Sequence, residues 1–248
     1  MAIVETTIEG STMIIRLNRP EKMNALNRDM LEGIASALNY ASENNSLRAV
    51  IVSSTGDHFS AGADIAELHS LDTKGAKEFR ATMRRIVDLI LDMDIPVIFA
   101  LKGYSLGGAL EISEWADIRV AAKDSKLGQP EVAIGINAGA GGNSMLPFLV
   151  GRGMASFLSM TGEKIDAEEA RRIGLVDLVV EGDSLEEAVK IASKISSFNY
   201  RTIRAIKRSM VESSVSGLKI GFTKEESFFI ELAADREVKE RMEKFLKR

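Results

Sequence analysis

Apolar and polar positions alternate or run together in a readable order along this chain. Residues 3–8 and 13–17 are apolar-rich on either side of Glu9-Gly-Ser-Thr12, the pattern of two strands joined by a turn. Asn18-Arg-Pro-Glu-Lys-Met-Asn24 is a loop, and Asn27 is a candidate N-cap for a helix running to about residue 39. Residues 49–53 predict a buried strand, and the tight loop Gly56-Asp-His-Phe-Ser-Ala-Gly-Ala-Asp64 follows. Residues 74–92 carry helical periodicity: Phe79, Met83, Ile86, Val87 and Ile90 share one face, with Arg80, Arg84, Arg85 and Asp88 elsewhere. The β-branched run over residues 95–101 predicts another buried strand, then helical spacing over 109–116 and a strand over 117–122.

Beyond residue 144 the pattern turns helical, over 145–149, 154–161 and 167–173, with a short strand at 176–180. Helices follow at 186–195 and 203–212, and then a longer amphipathic segment at 222–245. Strand and helix alternate to about residue 180, after which only helices remain. This order predicts an α/β core with a helical tail. The long strand-to-strand spacing favours crossover connections over hairpins.

Composition narrows the function classes. A chain of 248 residues forms one large domain or a domain with a small appendage. Lys+Arg 32 against Asp+Glu 36 gives a net charge of −4, with no general attraction for nucleic acid or anionic membrane. The absence of cysteine excludes disulfides and thiolate metal ligands. The first residues lack a basic segment and apolar core, and no apolar run approaches the ~20 residues that cross a bilayer. The expectation is a cytoplasmic protein without a membrane span.

Chemistry concentrates between Pro96 and Asn143. Gly103-Tyr-Ser-Leu-Gly107 fits the G-x-S-x-G nucleophile elbow, with a strand before it and a helix after it. That motif needs a histidine later in the chain, and the only histidines, His58 and His69, precede Ser105. Gly139-Ala-Gly-Gly-Asn-Ser144 approaches a dinucleotide fingerprint but ends in serine and follows a loop. Two glutamates remain. Glu111 is expected in the first turn of the helix after Gly107-Gly108, where the helix dipole favours a carboxylate and simple capping is the bland explanation. Its neighbours Leu106, Ala109, Leu110 and Ile112 are apolar, so its pKa should be perturbed. Glu131 follows a proline beside Val132, Ala133 and Ile134, again a poor place for an idle charge.

Phe59-Ser-Ala-Gly-Ala-Asp64, Gly103-Tyr-Ser-Leu-Gly-Gly108, Glu111, Ala116-Asp-Ile-Arg119, Gly128-Gln-Pro-Glu131 and Gly139-Ala-Gly-Gly142 together resemble the crotonase family, and most closely its enoyl-CoA hydratases. The resemblance runs over essentially the whole chain. It implies an α/β spiral of β-β-α turns over residues 1–190 carrying the active site. A helical segment over 191–248 would serve trimerisation, as a homotrimer or a dimer of trimers.

The resemblance also implies roles. The backbone N–H groups of Ala63 and Gly108 would form an oxyanion hole for the thioester carbonyl of an acyl-CoA. Glu111 would hold and deprotonate the water attacking C3, and Glu131 would deliver the proton to C2. Ala61, Asp64, Ile65 and Gly139 would border the substrate. Asn24, Ala25 and Leu26 match the loop that touches coenzyme A, and Lys247 or Arg248 could meet its phosphates. Coenzyme A is then part of the substrate, and no separate cofactor or metal is implied. Departures lie at Asn137-Ala138 and Asn143-Ser-Met145, which border the acyl pocket, and at Glu114-Trp115, where the family has small apolar residues. Glu114 is expected either to meet solvent or to raise the pKa of Glu111. An enoyl-CoA isomerase, which needs only the second carboxylate, is the alternative within the family. An RNA-binding relative is the alternative from another class, though the arginines at 80–85 and 201–208 are short runs balanced by acid.

Overall fold

Strand β1 (Val4–Glu9) pairs antiparallel with β2 (Thr12–Leu17) through a turn in which Gly10 takes φ 59°. The computed structural model describes residues 2–215 and 229–247. Beyond β2 the large sheet is parallel: β3 (Ala49–Ser54), β4 (Val97–Leu101), β6 (Ile118–Ala122) and β9 (Leu178–Val180), in the order β1-β2-β3-β4-β6-β9. Both faces are covered, which is why these strands are continuous apolar runs. Met13, Ile15, Val50, Val52 and Phe99 face the main core with α1 (Arg28–Glu43) and α3 (Thr73–Asp92). Ile14, Ala49, Ile51, Ile98 and Val120 face Ala188 and Ala192 of a later helix, Ser184–Ser196.

A second sheet makes the fold a spiral. Short strands β5 (Tyr104–Leu106), β7 (Lys126–Gly128) and β8 (Lys164–Asp166) stand beside the large sheet, with β5 and β7 parallel and β7 and β8 antiparallel. The turns that start at β4 and β6 each place one strand in the large sheet and the next in the small sheet before a helix. In the two earlier turns, after β2 and β3, the second strand shrinks to single bridges, Leu26 with Ala63 and Ser60 with Ser105. Strands of three residues carry too little alternation to be seen in a sequence. This is the crotonase-type spiral that the motif pattern implied.

Most elements fall where periodicity placed them. Asn27 caps α1 by accepting from the Met30 N–H, and Asp64 caps α2 (Ile65–Ser70) by accepting from Ala66 and Glu67. The pattern over 145–161 forms a single span, α5 (Gly142–Thr161), which leaves helical geometry at Gly151 (φ 76°, ψ 151°). Arg80 corrects the reading of α3: it is buried, not on the polar face. Residues 80, 83 and 87 share one side of a helix, so Arg80 lies at the margin of the apolar stripe.

The tail starts later than residue 190. Helix α7 (Ser184–Ser196) crosses that position and covers the large sheet, so the separate helices begin with α8 (Tyr200–Val215). Lys207 of α8 is buried and donates to the carbonyls of Ile90 and Ile95, each at 2.9 Å, and to Asp117 at 2.8 Å. Burial pushes its pKa down, and Asp117 opposes that shift. Of the amphipathic segment expected over 222–245, residues 222–228 lie outside the described residues. Residues 229–234 are helical, and α9 (Arg236–Leu246) follows. Lys239 of α9 donates to the carbonyls of Leu68 and His69, each at 2.7 Å, and to that of Leu71. It thereby satisfies groups that the end of α2 would otherwise leave open. No helix among the described residues is long and apolar enough to cross a membrane.

Candidate active site

The site lies where the spiral's turns touch. Gly103 (φ 49°) and Gly107 (φ 51°) bend the chain into and out of β5, and α4 (Gly107–Glu114) starts at once. Positive φ at Gly107 excludes an ordinary side chain, and a Cβ there would sit 2.8 Å from the Glu131 carboxyl. The preceding loop approaches as closely: a Cβ on Gly62 would stand 2.9 Å from the Leu106 carbonyl. The Leu26–Ala63 bridge uses Leu26 N–H to Gly62 and Asp64 N–H to Leu26, which leaves the Ala63 amide out of the pairing. Leu106 supplies no side-chain cap to α4, so the Gly108 amide is among its open N–H groups. A Cβ on Gly108 would be 4.0 Å from the Ala63 nitrogen and 3.9 Å from Glu111 Oε1. Two backbone donors and one carboxyl thus converge beside Gly108, where the Met83 methyl, 2.7 Å from a Cβ built there, closes the remaining side.

Glu111 sits deeper than expected. It is the fifth residue of α4, not part of the first turn, so its own helix does not cap it. Its carboxyl instead faces the start of α5, accepting N–H bonds from Gly139 (3.2 Å), Ala140 (2.7 Å) and Gly142 (3.0 Å). The fully buried surroundings raise its pKa, and those three amides together with a hydrogen bond to Glu131 oppose the rise. Gly139 therefore spends its amide on Glu111. Its lack of a side chain also makes room for Phe229, whose ring would lie 2.6 Å from a Cβ.

Glu131 rides on the 3-10 turn Pro130–Ile134, and its carboxyl lies against Gly107 at the start of α4, the helix that carries Glu111. Two glutamates twenty residues apart in sequence, on different turns of the spiral, thus approach the same Gly107-Gly108 backbone that faces Ala63.

The remaining expected residues divide. Ala61, Asp64 and Ile65 are half-buried along the loop beside Gly62. Burial works against ionisation of Asp64, but Arg19 at 2.7 Å and the Glu67 and Ala66 amides hold its carboxyl below the usual value. Asn24 is buried and fully used inside the loop. It takes positive φ, donates to the Thr55 and His58 carbonyls, and accepts from the Arg19 N–H. Leu26 is buried in the bridge to Ala63, leaving Ala25 half-exposed. Lys247 pairs with Glu243 on α9, and Arg248 lies outside the described residues.

Glu114 does not meet solvent. It is fully buried and accepts from Gln129 Nε2 at 2.7 Å. The adjoining Trp115 donates to the Ala140 carbonyl at 3.2 Å, bracing the same loop that grips Glu111. Gln129 and the Ala140 and Gly142 amides are parts of the site that sequence reasoning passed over, since backbone donors and a buried amide leave no mark in residue type. The nucleophile elbow is empty chemistry: Ser105 is buried, and His58 Nδ1 accepts from the Tyr104 N–H while its ring stacks on Tyr104.

A cavity of about 600 Å³ opens beside the pair, with Gln129, Glu131, Ile136, Asn137 and Ala138 on one side and Asn143, Pro147, Arg152 and Ala155 of α5 on the other.

The family profile described as enoyl-CoA hydratase/isomerase matches residues 7–248. The chain belongs to that family. It is 39% identical over 242 residues to the crotonyl-CoA hydratase of Syntrophomonas wolfei, covering 97% of this chain and 93% of the relative. It is 34% identical, with the same coverage, to the short-chain-enoyl-CoA hydratase of Clostridium acetobutylicum. Among solved structures, the enoyl-CoA hydratase of Thermoplasma volcanium superposes with a TM-score of 0.83 at 43% identity, over 99% of this chain and 98% of that one. An enoyl-CoA hydratase/isomerase of Mycobacterium paratuberculosis reaches 0.93 at 25% identity, over 98% of each chain. The glutamate pair and the glycine-rich loops described above thus sit within a family fold.

Proposed function

We propose that this member of the enoyl-CoA hydratase/isomerase family adds water reversibly, with syn geometry, across the 2,3 double bond of a 2-enoyl-CoA. The single observation that carries this reading is the convergence of both carboxyls on the Gly107-Gly108 backbone: a Cβ on Gly107 would stand 2.8 Å from Glu131 Oε1, and one on Gly108 would stand 3.9 Å from Glu111 Oε1 and 4.0 Å from the Ala63 nitrogen. The thioester oxygen sits between those amides, which stabilise the enolate-like charge that builds on it during attack. Gly108 near the start of α4 adds the positive end of a helix dipole. Water held by the Glu111 carboxylate attacks C3, giving its proton to Glu111, and Glu131 passes its own proton to C2. The chemistry needs one proton on the pair, on Glu131. The three amides aimed at Glu111 favour the anion there and so support that distribution.

The isomerase alternative needs only Glu131. Three backbone donors converging on Glu111 are an arrangement that a bystander would not require, and they favour hydration. Crotonyl-CoA hydration, followed by loss of the enoyl absorbance, is the test. Glu111→Gln and Glu131→Gln should each lower kcat on the order of 10³-fold. A Glu111→Gln enzyme that still hydrates at the native rate, or a native enzyme that only shifts the double bond of a 3-enoyl-CoA, overturns the reading.

The same reading takes the assembly to be a homotrimer or a dimer of trimers. Exposed Phe148, Phe157 and Met160 on α5 support a face that another copy covers. Light scattering that returns a monomer at micromolar concentration would rule it out.

A further inference from the structure

Helix α4 carries a second buried carboxyl group, which the hydration steps do not use. Glu114 lies three residues beyond Glu111, is fully buried, and accepts from Gln129 Nε2 at 2.7 Å. Taking a carboxyl group out of water costs free energy that an alanine at the same position would not, so what it holds in return matters. Gln129 is buried too and stands two residues before Glu131, where β7 passes into the turn Pro130–Ile134. Its side chain gives that turn no cap, and its amide goes to α4 instead.

Both ends of this contact are firmly placed. On one side, Gly128 packs so closely on the start of β8 that a Cβ there would stand 2.7 Å from the Glu163 carbonyl. On the other, the end of α4 is tied to the large sheet. The Ser113, Glu114 and Ala116 carbonyls accept from Arg119 Nη1 at 3.5, 3.4 and 2.9 Å, and Arg119 is buried on β6 and paired with Asp177. Helix α4 therefore meets the segment 129–131 twice. Its first residue, Gly107, lies against the Glu131 carboxyl, and its last, about 10 Å further along the axis, grips Gln129.

We propose that Glu114 is a positioning residue: by holding Gln129 it fixes the turn that carries Glu131, and so sets where the proton is delivered to C2. The proposal rests on the hydratase reading for the part Glu131 plays. One short helix then places both reacting carboxyls, Glu111 on its own backbone and Glu131 through the Glu114–Gln129 bond. Without the acceptor, the buried Gln129 amide must find another partner. One lies within reach, because Gln129 Nε2 and Glu111 Oε2 stand 3.0 and 3.1 Å from the same point, the Cβ position of Gly142. Turning that way draws Gln129, and with it Pro130 and Glu131, out of register with Gly107.

The test isolates Glu131 in a reaction that needs neither Glu111 nor an attacking water. In D2O the Glu131 carboxylate takes a proton from C2 of butyryl-CoA, and the electron pair moves to the thioester oxygen, held by the Ala63 and Gly108 amides. After exchange with solvent the carboxyl returns a deuteron to C2, which mass spectrometry counts. Glu114→Met keeps the length without the acceptor. It should slow both this exchange and kcat for crotonyl-CoA hydration about tenfold, for a displacement of roughly half an ångström, while KM and the Kd for butyryl-CoA stay within about twofold. Glu114→Gln retains an acceptor and should return both rates to within about threefold of native. The double variant Glu114→Met, Gln129→Met should be no slower than its slower single, since the two side chains are ends of one contact. If Glu114→Met fails to fold, Gln129→Met carries the same expectation from the other end. Native exchange in a folded Glu114→Met or Gln129→Met protein overturns the proposal. So do equal losses in Glu114→Met and Glu114→Gln, additive losses in the double variant, or a weakening of butyryl-CoA binding that accounts for the whole effect. Exchange that depends on Glu114 in a protein that does not hydrate crotonyl-CoA would sink the hydratase reading alone. Hydration indifferent to Glu114→Met would sink this inference alone.

Discussion

Replacing Gly142 by alanine tests the site through its scaffold, without touching an ionisable group. Gly142 opens α5 and donates its N–H to Glu111 at 3.0 Å. An added Cβ would stand 2.7 Å from Glu111 Cγ, 3.0 Å from Gln129 Nε2 and 3.1 Å from Glu111 Oε2. Ordinary contact begins at 3.4 Å, so Glu111 must withdraw by 3.4 − 2.7 = 0.7 Å. A 1 Å misplacement of a reacting group costs on the order of 10²-fold in rate. The expected loss in kcat is therefore between about tenfold and 10²-fold, or ~1.4–2.7 kcal/mol of barrier. Stability should move less. Crowding costs about 1–3 kcal/mol, and alanine in place of glycine at a helix returns up to about 1 kcal/mol. The assay is steady-state hydration of crotonyl-CoA beside a thermal melt. Gly182→Ala serves as the control, because a Cβ there meets nothing within 4 Å. A folded Gly142→Ala enzyme with kcat within about threefold of native would refute the claim that this loop fixes a reacting carboxyl.

Three further outcomes follow from two buried charges, Glu111 and Lys207. Glu111 must be ionised to accept a proton, and burial raises its pKa, so kcat/KM should climb with pH through a midpoint above the usual 4.5 for a glutamate. A midpoint at or below that value contradicts the assignment. Because the folded-state pKa is the higher one, the stability linked to this group is complete below the unfolded value and is lost as pH rises through the folded one. Urea midpoints of native protein relative to Glu111→Gln should therefore decline across that window. In the tail, Lys207→Met keeps the stem but strips three acceptors of their donor. It should cost about 2–4 kcal/mol, with Asp117 left partly buried and short of its cation. An unchanged urea midpoint would show that this contact does not hold α8 to the core.

Residue order alone specified a good deal here. Strands β2, β3 and β4 announce themselves because both faces of a parallel sheet are covered, which demands unbroken apolar runs. Helix α3 shows its period, and Asn27 and Asp64 mark starts because a short polar side chain satisfies open N–H groups. Glu111 and Glu131 stood out as carboxylates in apolar surroundings, and the motif series around them carried the family resemblance. Arg80 was misplaced because a residue at the edge of a helical stripe can turn either way. The three-residue strands β5, β7 and β8 went unseen because they are too short to show a period.

The tertiary structure alone decided what those residues do to one another. Local pattern could say that Glu111 is buried but not that its carboxyl is held by the start of α5, a helix some thirty residues further on. Nor could it say that Glu114 grips Gln129 instead of facing water, or that Gly139 gives its amide to a glutamate. Backbone donors look the same in every residue type, and only the winding of the spiral brings them to the carboxyl they serve. Sequence determined which groups are available for chemistry. Folding determined their distances, and with them which carboxyl is raised and which amides stay open.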